Sequence, residues 1–244
     1  MHIASYNVHR CIGRDGRCDP ARVARVIEEL ECDTVGLQEV DNRAGPGHDS
    51  MQLDFLAHVT GMRGVAGMTI IRHDGHYGNA LLTRRPVLDI RRHDLSYGRG
   101  REPRGALDVD LDVDGTVVRV VVTHFGLTTR ERRFQVERLL RVLDDGPRGV
   151  PLVLLGDINE WRTGGENLRR LQAALGRSPA CGTFPVWLPW LALDRIWVRP
   201  GSALRALDVH RSPTARVASD HYPIRALVSV TEDGALAAEA RQVD

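Results

Sequence analysis

The residues of this chain that could do chemistry stand where short apolar runs break off. Ile3-Ala4-Ser5-Tyr6-Asn7-Val8-His9 reaches an Asn, and Thr34-Val35-Gly36-Leu37-Gln38-Glu39 reaches a Gln-Glu pair. Val120-Val121-Val122-Thr123 ends on His124, and Leu152-Val153-Leu154-Leu155-Gly156 ends on Asp157 and Asn159. Leu193-Asp194-Arg195-Ile196-Trp197-Val198 and Ser219-Asp220-His221 complete the set. Short β-rich apolar runs read as buried strands. Such strands do not carry Glu, Asp and His at their ends unless these are paired, exposed or bound to a metal. Carboxylates, carboxamides and imidazoles gathered at strand ends are the parts of a metal-assisted hydrolytic site.

Each part has a chemical reason and a plainer alternative. Glu39 suits a hard cation, Mg²⁺ or Mn²⁺, which takes oxygen ligands and keeps water and substrate phosphate in its shell; a strand-end salt bridge is the plainer reading. His221 titrates near neutrality and can take a proton from water. A carboxylate such as Asp194 or Asp220 could fix its tautomer. Asp157 and Asn159 sit at alternate positions, so an extended backbone would point both to one side, whereas a turn closing on the Asp is equally familiar after a buried strand. His124 could instead be a strand-end His bonded to the next loop.

Taken in order, SYNVH, QEV, GNALLTRRP, VTHFGL, GDIN, LDRIWV and SDHYP resemble the endonuclease/exonuclease/phosphatase superfamily, from about Ile3 to about Val230. Each motif is weak alone; seven in the right order are specific. The resemblance implies a four-layer α/β/β/α sandwich of two mainly antiparallel sheets flanked by helices, and a Mg²⁺- or Mn²⁺-dependent phosphoesterase. It implies Glu39 and Asn7 as metal ligands with Asp220 near them, and Asp194 as the partner of His221. Asp157 would lie at the reacting phosphate, orienting water or handling the leaving oxygen, and Asn159 would face a phosphate oxygen. His124 would approach from the other side as proton donor or stabiliser. A His at that place is unlike the abasic-site endonucleases. Asn79 and Arg104 would contact phosphate. The details HYGNALLTRRP, REPRGAL and THFGLTTRERRFQVERLL are most similar to bacterial metal-dependent hydrolases of undefined substrate.

The elements that must position these groups are legible in part. Asp19-Pro20 reads as N-cap and first residue of a helix, with Val23, Val26, Ile27 and Leu30 on one face. A Gly/Pro loop over Arg43–His48 precedes a helix near Gln52–Val59. Strands follow at Asn79–Thr83, Ala106–Val113 and Val117–His124, the last two joined by a turn at Asp114-Gly115. Thr129 would cap a helix carrying Val136, Leu139, Leu140 and Leu143. Pro151–Ile158 reads as a buried strand, and Leu168, Leu171 and Leu175 as a helix face. One catalytic domain over 1–232 with a short tail, 233–244, is the expected organisation.

Composition narrows the function. The 244 residues carry a net charge of +1, and all 33 basic residues are Arg, so there is no global basic field of a dedicated nucleic-acid binder. Four cysteines at positions 11, 18, 32 and 181 lack zinc-ligand spacing, which favours free thiols and a cytoplasmic setting over a Cys11–Cys18 disulfide. Met1 runs straight into the first strand, leaving no room for a signal segment, and no run is long enough to span a membrane. The loop Phe184–Leu191, rich in Trp and Pro, could stack a base, form an apolar lip for a lipid, or simply pack; packing is the default for Trp. A small phosphoester or lipid head group is the favoured substrate of a monomeric enzyme. A nuclease acting on DNA or RNA is the runner-up, and an inactive binding module the non-enzymatic alternative.

Overall fold

A computed structural model describes residues 1–43, 51–147 and 149–230. Most of the expected Arg43–His48 loop and the whole 233–244 tail lie outside the described residues. Two mixed sheets are flanked by helices. The first holds β1 (His2–Asn7), β2 (Thr34–Arg43), β3 (Arg63–Arg72), β4 (Gly75–Thr83), β10 (Leu204–Val209) and β11 (Ile224–Val228), in the order β10-β11-β1-β2-β4-β3. The second holds β5 (Val87–Asp94), β6 (Gly105–Val113), β7 (Thr116–His124), β8 (Leu152–Asp157) and β9 (Asp194–Arg199), in sequence order. Each sheet is antiparallel except for one central parallel pair, β1–β2 and β7–β8. A parallel pair needs a crossover, supplied by α1 (Pro20–Glu29) and α3 (Thr129–Asp144).

Alternation along the strands builds the layers. In β1, Ala4 and Tyr6 join Val23, Val26 and Ile27 of α1 and Leu53 and Leu56 of α2 (Gln52–Thr60) in one buried cluster. Ile3, on the other face, joins Val122 of β7, Leu155 of β8 and Ile196 of β9 between the sheets. The outer face of the second sheet packs Val121 and Leu154 against Val136, Leu139 and Leu143 of α3 and Leu168 and Leu171 of α4 (Glu166–Leu175). Gly36 lets the sheets approach, because a Cβ there would lie 2.2 Å from Leu155 Cδ1. The four-layer sandwich is thus present.

Local details differ at a few places. Asp19 caps α1 through a bond from the Arg22 amide, with Pro20 leading the helix, as its sequence predicts. The cap of α3 is Thr128 rather than Thr129: Thr128 is extended, accepts from the Glu131 amide, and receives the Glu131 carboxylate on its own N–H. That reciprocal arrangement needs a carboxylate three residues on, a spacing only Thr128 has. Strands β3 and β5, with short or interrupted apolar runs, were not separately apparent in the sequence. Cys11, Cys32 and Cys181 are free thiols, so no Cys11–Cys18 disulfide forms.

The outer face of β5–β6–β7 carries a buried ion network. Asp108 of β6 accepts from Arg119 at 2.7 and 3.0 Å, from Arg91 at 3.0 and 3.2 Å, and pairs with His93 at 2.9 Å. Burial opposes ionisation of Asp108, but bonds from Arg119, Arg91 and His93 outweigh it and hold the carboxyl below its usual range. Its contribution to stability is fully present above the unfolded value of ~3.9 and is lost as pH falls through the lower folded value. Asp108→Ala leaves Arg119 buried without its counter-charge and should cost about 3–5 kcal/mol in urea unfolding at neutral pH. That deficit should shrink in acid; a deficit unchanged by pH would contradict the account.

Candidate active site

The site lies at the edge where β1, β2, β7, β8 and β9 end together. His124 pairs in register with Asp157, and Asp157 with Asp194, so three chemistry-bearing residues stand side by side on adjacent strands of one sheet. Asn7, on the intersheet face of β1, reaches across from the other sheet. Its Nδ2 donates to Asp157 Oδ2 at 3.1 Å and to Glu39 Oε1 at 3.1 Å. His124 Nε2 lies 3.5 Å and His221 Nε2 3.8 Å from the same Asp157 oxygen. Two imidazoles and one amide therefore surround a single buried carboxylate oxygen.

Glu39 reaches this point because β2 is bulged. Leu37 pairs with Ala80 but Val40 with Gly78, so Gln38 and Glu39 together oppose Asn79. Val35, Leu37 and Val40 all face the helix layer. Regular alternation would send Glu39 there too, into apolar packing. The bulge takes up one residue, with Glu39 at φ 60°, and turns its carboxylate to Asn7. Nothing in the sequence QEV announces this.

His221 and Asp194 form the expected pair: the ring's Nδ1 donates to Asp194 Oδ2 at 2.8 Å, leaving Nε2 toward Asp157. Thr183 Oγ1 donates to the same Asp194 oxygen at 2.5 Å, a contact that no local sequence signal reveals. The Phe184 ring packs 4.8 Å from the His221 ring, centroid to centroid. Burial works against a charged His221, but Asp194, then Asp157 and Asp220, outweigh it and raise its pKa. Asp157 is pushed upward, first by burial, with Asp194 adding to the effect and His221 opposing it.

His124 behaves oppositely. Burial, then the charges of Arg104 and His221, hold it well below the ordinary imidazole value, so the ring is neutral. Arg104 Nη1 stands 2.9 Å from His124 Nδ1. A guanidinium only donates, so Nδ1 accepts and the ring proton lies on Nε2, facing Asp157. Arg104 also pairs with Glu102 at 2.9 Å.

Asn159 is placed otherwise than an extended strand would place it. It adopts φ 52°, its amide N–H closes a turn on Asp157 Oδ1 at 2.9 Å, and its Nδ2 donates to Phe125 O at 2.9 Å. The same Nδ2 is 3.1 Å from His124 Nε2. Asp157 and Asn159 thus share the site through a turn, not through strand alternation. Gly156, at φ 146°, permits it: a Cβ would lie 1.8 Å from Thr123 O on the neighbouring strand. Asn79 spends its Nδ2 on Gly105 O at 3.0 Å, tying the two sheets together beside Arg104. Asp220 is half-exposed, accepts from Ser219 Oγ at 3.3 Å and lies 3.8 Å from His9 Nδ1. Ser219 Oγ is 2.7 Å from the Asn7 carbonyl, which places Asp220 beside Asn7. The Trp residues of the Phe184–Leu191 loop do not pack as the default would have it. Trp187 and Trp190 are exposed, and only Trp197 is a core residue.

Among the described residues, no three His, Cys, Asp or Glu side chains converge as a ready-made metal cage. The donor set nevertheless fits a hard cation of few protein ligands. Glu39 makes no ion pair among the described residues, while Asp157, Asp194 and Asp220 add negative charge nearby. Asn7 Oδ1 is engaged by the His9 amide at 3.0 Å, so Glu39 is the more open oxygen ligand.

Residues 4–221 match the model of the Endonuclease/Exonuclease/phosphatase family, and the chain belongs to that family. It is 31% identical over 221 residues to the uncharacterized protein YbhP of Escherichia coli strain K12, covering 82% of this chain and 84% of YbhP. Among solved structures it superposes on the mannosyl-6-phosphatase Bt3783 of Bacteroides thetaiotaomicron with a TM-score of 0.74 at 18% identity, over 94% of this chain and 100% of that one. It superposes on D. rerio TDP2 complexed with single strand DNA product with a TM-score of 0.68 at 16% identity, over 94% and 99%. The family holds phosphatases, nucleases and phosphodiesterases, and its enzymes generally use divalent metals.

The Arg104–His124 contact yields a direct test. His124, neutral when folded, contributes stability above the unfolded value of ~6.5 that is lost as pH falls toward its lower folded pKa. Arg104→Gln should raise the His124 pKa, read by NMR titration of the ring protons. An unchanged or lowered value would show that Arg104 does not set the ring's charge.

Proposed function

We propose that this protein is a divalent-metal-dependent phosphoesterase that hydrolyses a phosphodiester or phosphomonoester by attack of water. The observation that carries this is the convergence on Asp157 Oδ2 of His221, His124 and Asn7, with Glu39 on the other side of the same amide. Glu39 and Asn7, with Asp220 beside them, would hold Mg²⁺ or Mn²⁺. Such an ion, when bound, neutralises phosphate oxygens and so favours attack at phosphorus. His221, oriented by Asp194, would take the proton of the attacking water at Nε2 in its neutral form, which a cation bound beside Asn7 would favour by opposing the charge of the neighbouring carboxylates. Asp157, kept protonatable by burial, orients that water or gives a proton to the leaving oxygen. His124 donates from Nε2 to phosphate, and Arg104 holds its ring in place through Nδ1. Asn79 positions the Arg104 segment.

A small ester is favoured over long nucleic acid. Net charge of +1 supplies no broad field for a polyanion, and Arg104, the guanidinium beside His124, is already paired with Glu102. The decisive experiment is a phosphoester panel of plasmid, abasic duplex, phospholipids, inositol phosphates, sugar phosphates and nucleotides, assayed with Mg²⁺, Mn²⁺ and chelator. Hydrolysis should require metal and fall by at least about 10²-fold in Glu39→Gln. His221→Ala and Asp194→Asn should each lose a comparable factor, and the double variant little more. Full activity in excess chelator, or additive losses in the pair, would overturn the reading. Plasmid cleavage far above every small ester would reverse the order of substrates while leaving the residue roles in place.

A further inference from the structure

Three of the four Trp residues are solvent-exposed, and all three stand on the rim of the proposed site. Trp161, Trp187 and Trp190 are 56%, 62% and 69% exposed, joined by Leu127 and Leu188. They occupy three segments that leave one sheet edge side by side. The segment at 126–130 follows His124 of β7, that at 161–165 follows Asn159 beyond β8, and that at 184–192 precedes Asp194 of β9.

The exposure is built in. The 184–192 segment is closed on itself by paired Phe184–Leu191 backbone bonds of 2.9 and 3.1 Å, and Val186 N–H donates to Asp220 O at 2.8 Å. Apolar side chains held outward on a stapled loop mark a contact surface. None of the three segments carries an Asp or Glu, whereas Arg130 and Arg162 lie within them. Arg211 flanks them, donating to Gly182 O and standing 5.8 Å over the Tyr222 ring. The carboxylates that adjoin these segments, Glu131, Glu160 and Glu166, are engaged by Thr128, Arg132 and Arg170, so Trp beside Arg matches the chemistry of an anionic lipid surface: indole settles at head-group depth while guanidinium meets phosphate. No helix among the described residues is long and apolar enough to cross a membrane, so the contact would be peripheral.

We infer that this rim docks on the surface of a bilayer containing anionic phospholipid, presenting the site to a phosphoester at head-group level. The choice of reacting group rests on the phosphoesterase reading; the docking does not. Indole emission of the full-length protein should shift to the blue on vesicles of phosphatidylcholine mixed with phosphatidylglycerol, and the protein should co-sediment with them, more weakly with phosphatidylcholine alone. Trp187→Ser/Trp190→Ser, and separately Trp161→Ser on a different segment, should weaken partitioning by about tenfold or more. Both variants should keep the wild-type melting temperature and turnover of bis(p-nitrophenyl) phosphate in water.

Wild type that fails to partition, or variants that partition as wild type does, would overturn the docking. So would self-association, read by sedimentation velocity, that disappears in the Trp variants while vesicles are ignored. A protein that partitions through these Trp residues yet hydrolyses no ester would refute the phosphoesterase reading and leave the docking in place. One that hydrolyses the soluble diester without partitioning would do the reverse.

Discussion

A single carboxylate oxygen, Asp157 Oδ2, sets the terms for the rest of this molecule. It is buried at the edge of one sheet, accepts a bond from Asn7 of the other sheet, and is approached by the free nitrogens of His124 and His221. A buried carboxylate is costly unless such partners are held in place. Holding them requires two sheets in fixed register, and the Ile3, Val122, Leu155 and Ile196 contacts between the layers provide it. The parallel pairs at the middle of each sheet bring the relevant strand ends to the same edge.

Several strained backbone positions lie around this point. Glu39, Asn159 and the consecutive residues His9, Arg10 and Cys11 all have positive φ without being glycine. Left-handed conformations of this kind cost about 1–2 kcal/mol per residue. The surrounding structure holds them: the His9 amide donates to Asn7 Oδ1, and Asn159 is pinned to Asp157 and Phe125. Glu31, Met51 and Asp114 share this conformation elsewhere, but at Glu39 and Asn159 it serves orientation, turning Glu39 out of the helix layer and Asn159 back onto Asp157. Charge is arranged as selectively as geometry. Of two buried imidazoles a few ångströms from one carboxylate, the one beside Asp194 gains a proton affinity that the one beside Arg104 loses. One ring is thereby favoured in its protonated form and the other in its neutral form.

Much of this was legible in the sequence because it follows from short-range rules. The Asp19-Pro20 cap, the α1 and α3 stripes, the strands at 106–113 and 117–124, and a polar residue at the end of each buried run are all local features. The order of motifs then brought Asp194 to His221 across 27 positions. The Glu39 bulge, the Asn159 turn and the Thr183 bond were hidden because each depends on a partner strand or loop far along the chain. The Trp residues were misjudged for a related reason. Burial is decided by what covers a loop, and nothing among the described residues covers 187–190, whereas Trp197, in the apolar run of β9, is enclosed by α4.

The central claim is that Glu39, which makes no ion pair among the described residues, holds a cation beside Asn7. Calorimetric titration of Mn²⁺ into the intact protein, wild type and Glu39→Gln, addresses it without reference to any substrate. The account predicts saturable, chelator-reversible binding to wild type, strongly weakened in Glu39→Gln, whose fold is unchanged by circular dichroism. Binding of equal strength to both proteins, or none to either in the presence of inorganic phosphate, would contradict it.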